Sequence, residues 1–319
     1  MPAAGQAGER CCVTEVLIKV SVFLVIILMG YVLKRVGLFG KDDYRVVSKI
    51  IFRLTLPCAV INAFSEGFRK DSLLYLLVLL GLFCNLLLWG LSWLFSRGRG
   101  ETVRAFYTQN IPGYNIGSFT MPFVQSFLGS FGVVAVCMFD MGNSVMCTGG
   151  NYALTSTLMG QAGEGRLKAF FRRLFSSVPI DTYIVLLILS FFGLTLPSPL
   201  LALSSQIGAA NSFLSMLMVG MTIEISLDGA RLKKAAFVLA MRYGAAVLFA
   251  SLFYFAAPFP LEIRQVLVLL SFAPIPSMSP YFTERLCGDA SLSGFTSSIS
   301  FVISIACISS FILLMGIGM

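Results

Sequence analysis

An apolar run long enough to cross a bilayer, residues 105–127, is broken in its middle by Asn110-Ile-Pro-Gly-Tyr-Asn-Ile-Gly-Ser-Phe-Thr-Met-Pro122. Proline removes a backbone N–H and clashes with the preceding turn. In hydrocarbon each polar group freed in this way costs several kcal/mol, so broken backbone persists only inside protein or beside a water-filled cavity. A second stretch of the same kind, Ala273-Pro-Ile-Pro-Ser-Met-Ser-Pro280, follows with Pro274 standing 162 residues after Pro112. Two breaks at membrane depth read as the two halves of one substrate site.

The composition supports that setting. Charged residues make up 12% of the 319-residue chain and hydrophobic residues 57%, against about 25% charged in soluble domains. Apolar runs of about 20 residues recur, and ten spans are expected at 16–36, 46–64, 72–95, 105–127, 133–159, 180–196, 202–225, 237–255, 262–287 and 292–315. The formal charge of +8 does not point to nucleic acid, because the basic residues fall in short loops between spans. Fifteen Lys and Arg follow odd-numbered spans, while Arg10, Lys19, Arg69, Lys70 and Arg264 lie on the other side. By the positive-inside rule both termini are then extracytoplasmic, in a multi-pass protein of the cell membrane. No cleavable signal peptide is expected, since the first ten residues are polar and small and the first apolar run leads into further spans. Residues 160–175 form the one candidate linker; Arg166 to Arg173 alternates basic and apolar residues, suiting a surface helix that enforces topology or meets acidic lipid.

Five spans precede the linker, so the second five enter the membrane inverted. In the first half, Glu66-Gly-Phe-Arg-Lys70 precedes an apolar span and then the first broken one; Asp228-Gly-Ala-Arg231 holds the same place in the second half. Both broken spans open with an arginine, Arg104 and Arg264, and both are fourth in their unit. Interrupted helices in matched positions of two halves point to a transporter site. The expected fold is thus an all-α membrane protein of ten transmembrane helices in two inverted five-helix repeats, 1–160 and 179–319, joined by a cytoplasmic linker at 161–178.

Half-helix N-termini at such breaks suit an anion, and unwound carbonyls suit a cation. The candidate substrate-binding residues are Asn115 and Ser277, just beyond Pro112 and Pro276, with Asn110, Gly117 and Pro274. Asp140 is the one acid well inside an apolar run, with Asn143 one turn on. Intramembrane acids are rare and usually functional; Asp140 and Asn143 are read as coupling or site-lining residues, or else as a structural hydrogen bond or an ion pair with Arg242. Glu224 and Glu284 read as interfacial acids, and Lys49 and Arg53 as snorkelling anchors. The chain has eight Cys and no His; Cys58, Cys84, Cys137, Cys147 and Cys307 lie in apolar runs, and the Cys11–Cys12 pair precedes the first span as a candidate for palmitoylation or a disulfide. No metal site, nucleophile–base constellation or phosphate-binding Gly-rich loop is present in the sequence, so no cofactor and no enzymatic activity are expected.

Asn115-Ile-Gly117 with Pro122, Leu56-Pro57, Gly220, the prolines Pro274 and Pro276, and Cys287-Gly-Asp289 follow one another in an order and spacing that resembles the auxin efflux carrier family, in its prokaryotic-type permeases. The resemblance implies that helices 4 and 9 cross at their prolines. It also implies a scaffold of helices 1, 2, 6 and 7 carrying a moving domain, homodimers through the scaffold, and organic-anion substrates. It carries over Pro112, Asn115, Gly117, Pro122, Pro274 and Pro276. The chain departs from the family in Pro112-Gly-Tyr before Asn115, in Ser277, and in a short linker that argues against auxin itself. The architecture is shared with sodium–bile acid symporters.

The reading is a secondary active or facilitative transporter of a small organic anion, working by elevator-like alternating access, with H+ or Na+ as the candidate coupling ion and membrane lipid as its surroundings. The alternatives are a sodium-coupled symporter of the bile acid type and a non-transporting membrane sensor of the same fold.

Overall fold

The computed structural model describes residues 3–69, 71–160, 166–224 and 229–317. Lys70, Asp228, linker residues 161–165 and the side chains of Arg10, Cys11, Cys12 and Arg166 lie outside the described residues. Among the described residues all regular secondary structure is helical. In chain order the helices are α1 (Ala3–Arg35), α2 (Tyr44–Gly67), α3 (Ser72–Phe95), α4 (Glu101–Asn110), α5 (Met121–Phe127), α6 (Gly129–Leu158), α7 (Arg166–Leu174), α8 (Val178–Phe191), α9 (Ser198–Thr222), α10 (Gly229–Phe255), α11 (Leu261–Ser271), α12 (Ser279–Arg285) and α13 (Ala290–Leu314). Wide π turns lie within α2 at Ile51–Thr55, ahead of α5 at Ile116–Thr120, and within α6 at Met146–Gly150.

Seven of these helices are long and apolar enough to cross a membrane: α1 from Thr14, α2, α3, α6, α9, α10 from Arg231, and α13. They match seven of the ten expected spans. The other three are different. At 14 residues, α8 is about 21 Å long, short of a hydrocarbon core of about 30 Å; it stops where Gly193 takes a positive φ. The two proline-bearing spans are each a pair of short helices, α4 with α5 and α11 with α12, separated by non-helical backbone.

The distribution of side chains is that of a protein solvated by lipid. Large apolar residues such as Leu17, Ile18, Val25, Leu79, Phe83, Val247 and Leu248 are exposed, while Asn85, Thr108, Asn110, Ser118, Thr120, Asn143 and Thr296 are buried. Lipid tails offer no hydrophobic drive for helix association, so packing and interhelical hydrogen bonds must hold the bundle. Close approach comes from paired glycines. Gly30 of α1 faces Gly220 of α9, and Gly81 of α3 faces Gly142 of α6. A Cβ on Gly142 would strike the Val78 carbonyl, and one on Gly220 the Ile27 carbonyl. Helix starts are capped locally: Asp71 accepts from the Leu73 N–H at 2.9 Å, and Asp289 from the Leu292 N–H at 2.8 Å. The last of these explains the Gly288-Asp289 turn, whose aspartate opens α13.

Glycine at the α3–α6 contact is therefore a packing requirement. Gly142→Leu should destabilise the fold by at least ~1–3 kcal/mol, seen as a lower Tm in detergent. Gly90→Ala, with nothing within 4 Å of the added methyl, should leave Tm unchanged or raise it.

Candidate functional site

The two breaks lie against each other. The Asn115 N–H donates to the Pro274 carbonyl at 2.9 Å, and Asn115 Nδ2 donates to Ser277 Oγ at 3.0 Å. Several backbone groups at the breaks are held by nearby side chains, as burial demands. Arg242 of α10, 2% exposed, donates from Nη1 to the Ile111 carbonyl at 2.9 Å. From Nη2 it donates to the Ala273 and Pro274 carbonyls at 2.7 and 2.9 Å. Asn143 of α6 pairs with both backbone polar groups of one residue: its Oδ1 accepts from the Tyr114 N–H at 3.0 Å and its Nδ2 donates to the Tyr114 carbonyl at 2.9 Å. Ser300 Oγ accepts from the Ile275 N–H at 3.1 Å. Gly113 makes the turn possible with φ +87°, and a Cβ there would stand 2.7 Å from Pro276.

These contacts border a cavity of about 470 Å³. Asn115, Ile116 and Gly117 line it from the first break, and Pro276, Ser277 and Met278 from the second. Tyr114, Asp140, Asn143 and Cys147 form another part of the lining, and Ser48 and Phe52 of α2 another. Asp140 is buried; its Oδ1 accepts from Asn143 Nδ2 at 2.8 Å and its Oδ2 from the Tyr183 hydroxyl at 3.1 Å. Asn143 Oδ1 also accepts from Asn85 Nδ2 at 3.2 Å and from the Cys147 thiol at 3.1 Å. Asn115 Oδ1 accepts from the Ser118 hydroxyl at 2.7 Å, which fixes the amide with its nitrogen toward Ser277.

Six of the residues singled out from sequence thus share one cavity: Asn115, Gly117, Asp140, Asn143, Pro276 and Ser277. Pro112 and Pro274 shape the breaks without lining it. Asn110 sits apart, at the end of α4. Its Nδ2 donates to the Phe106 carbonyl and Thr283 Oγ1, and its Oδ1 accepts from Ser293 at 2.6 Å. It holds α4 against α12 and α13. The ion pair of Asp140 with Arg242 does not form: the guanidinium is spent on carbonyls, and the carboxylate is held by Asn143 and Tyr183. Lys49 and Arg53 are exposed, as anchors are. Sequence reasoning missed Tyr183, Asn85 and Arg173. Asn85, a lone amide in the apolar run of α3, carried a signal; Tyr183 carried none.

The membrane transport protein family matches residues 15–168. The match covers just under half of the chain and is a likeness to the family of the auxin efflux carriers. The likeness is to transport proteins rather than to enzymes, and it agrees with the several apolar helices of a multi-pass membrane protein. An uncharacterized transporter of Methanothermobacter thermautotrophicus is 26% identical over 164 residues, 50% of this chain and 52% of that protein. One of Methanocaldococcus jannaschii is 24% identical over 214 residues, 64% of this chain and 68% of that protein. The match thus spans about half the length of the first of these relatives.

Removing the guanidinium would leave the buried Ile111 and Ala273 carbonyls unpaired, at about 1–3 kcal/mol each, while Pro274 keeps the Asn115 N–H. Arg242→Leu should abolish a monodisperse, folded peak in detergent chromatography. Arg242→Lys, whose ammonium cannot span both breaks as a planar fork does, should fold with a lowered Tm.

Proposed function

We propose that the chain is a secondary active or facilitative transporter of a small organic anion in the cell membrane. The observation that carries this reading is the meeting of two chain breaks on one cavity, with Asn115 and Ser277 at their junction. Asn115 and Ser277 are 162 residues apart. The same interval separates Ile111 from Ala273, whose carbonyls share Arg242. Equivalent positions of an internal repeat meet in this way when they lie near its pseudo-twofold axis, which supports two inverted five-helix units over 1–160 and 179–319. On that view α4–α5 and α11–α12 are the fourth and ninth of ten spans and α8 is the sixth.

The packing also supports an elevator-like motion. α1, α2, α8 and α9 pack on one another, and α3, α4, α6 and α10 to α13 pack together, with α2 packed extensively on α6 where the two groups meet. The cavity lies where the groups meet, with Ser48, Phe52 and Leu56 from the first and the break residues from the second. A carboxylate in the cavity would meet the amide of Asn115, the hydroxyl of Ser277 and the start of the helix at Ile116–Gly117, where first-turn N–H groups have no helical partner. Asp140 lines the same cavity, and an anion entering beside its carboxylate is favoured by a bound H+ or Na+. Basic residues at the α1, α3 and α7 ends support a topology with both termini on the extracytoplasmic side.

In liposomes, Asn115→Ala and Asp140→Asn should each cut carboxylate flux at least tenfold while Tm in detergent stays within a few degrees of the parent. Asn110→Ala should instead lower Tm. Undiminished flux in both Asn115→Ala and Asp140→Asn would refute the site.

A further inference from the structure

Among the described residues the cavity has one cationic side chain in its lining, and it comes from the linker rather than from a break. Arg173 lies in the last turn of α7. The guanidinium carbon stands 5.8 Å from the centre of the Phe282 ring of α12, with Nη1 beside Gly149 in the wide turn of α6. Phe170, one turn earlier, packs on the same glycine. That glycine has φ +146°, and Cys147 and Thr148 of its turn face the cavity. The linker continues into the lining through Ser177 and Pro179. Among the described residues Arg173 takes part in no ion pair; those found, Arg45 with Asp42 and Arg69 with Glu262, are surface contacts elsewhere. Arg172, its neighbour on the same helix, is exposed and outside the cavity.

Among the described residues the charges of the lining are then Asp140, whose two oxygens are already occupied, and Arg173, whose guanidinium rests on an aromatic face. A guanidinium so placed keeps its N–H fork available for a planar, bidentate carboxylate partner. The geometry points to Arg173 as the residue that reads substrate charge: it pairs with a carboxylate of the bound organic anion and excludes neutral analogues. This rests on the proposed function and names a specificity determinant within that same site. It also gives the short basic linker a role beyond topology, since α7 carries one arginine to the cavity and another to the surface.

The test is thermal stabilisation of purified full-length protein by succinate against its neutral isostere succinamide, in wild type, Arg173→Gln, Arg173→Lys and Arg172→Gln. Wild type and Arg172→Gln should prefer succinate. Arg173→Gln should weaken succinate at least tenfold and lose the preference with its ligand-free Tm unchanged, and Arg173→Lys should recover part of it. Equal succinate affinity and preference in Arg173→Gln would overturn the assignment and leave the transporter reading intact. So would an equal loss in Arg172→Gln, which would mark a general field of the basic helix. If a panel of mono- and dicarboxylates, succinate among them, fails to stabilise wild type with or without sodium and across pH, the anion reading falls and this inference falls with it.

Discussion

Arg242 is the interaction on which the interior depends. Two chain breaks at membrane depth present carbonyls that no helix can satisfy, and one guanidinium reaches three of them across both breaks. A charge buried in a membrane protein is expensive unless partnered, and here three carbonyls take hydrogen bonds from Nη1 and Nη2, while Nε has no partner. The carbonyls concerned lie just past the C-terminal ends of α4 and α11, where the helix dipole is negative. Arg242 neutralises these ends. What remains turned to the cavity is the opposite polarity: the first turn at Ile116–Gly117, the amide of Asn115 and the hydroxyl of Ser277. The electrostatic sorting is therefore done outside the cavity, by a residue that does not line it.

Asn143 plays the corresponding part on the other face of the first break. A side-chain amide has the same donor and acceptor as a peptide group, so one asparagine satisfies both polar atoms of Tyr114 as a neighbouring strand would. The amide also donates to Asp140 and accepts from Asn85 and Cys147. Residues from α3 and α6, together with Tyr183 of α8, thus determine where Asp140 stands. Because networks of this kind are costly when partly broken, the coupling candidate is held in place by the same amide that holds the chain break open.

Much of this was legible before any coordinates. Apolar runs identify a membrane protein because backbone hydrogen bonding in lipid leaves so few solutions, and a proline–glycine–asparagine cluster in such a run has few readings besides a cavity. Asn115, Gly117 and Ser277 followed from that logic and Asp140 from the rarity of acids inside an apolar run, and the structure gathers them on one cavity. Asn110 did not follow it. An asparagine two residues before a proline looks the same in sequence whether its amide faces a cavity or a neighbouring helix, and here Thr283 and Ser293 take it. Arg242 was visible as an odd charge in an apolar helix, but charge invites an ionic partner. That its partners are carbonyls depends on where two distant breaks end up in space. Tyr183 and Arg173 were invisible for the same reason: both depend on how the linker returns to the first five helices.

The contrast between Arg242 and Arg173 bears on how an anion could be both held and released. A guanidinium that donates to three carbonyls inside protein has little left to offer a ligand, and it belongs to the helices that pack with the breaks. Arg173 has the opposite character. It sits on a nine-residue helix of the linker, against an aromatic ring, with no described acid paired to it. Contacts through flexible, half-exposed arginines are readily made and lost, whereas a buried one fixes geometry. An anion recognised by Asn115 and Ser277 at the breaks and by Arg173 from the linker would therefore bridge two parts of the chain. Any movement of the breaks relative to the linker would weaken one set of contacts while keeping the other, which is what alternating access requires of a bound substrate: affinity differing between two positions of the same site.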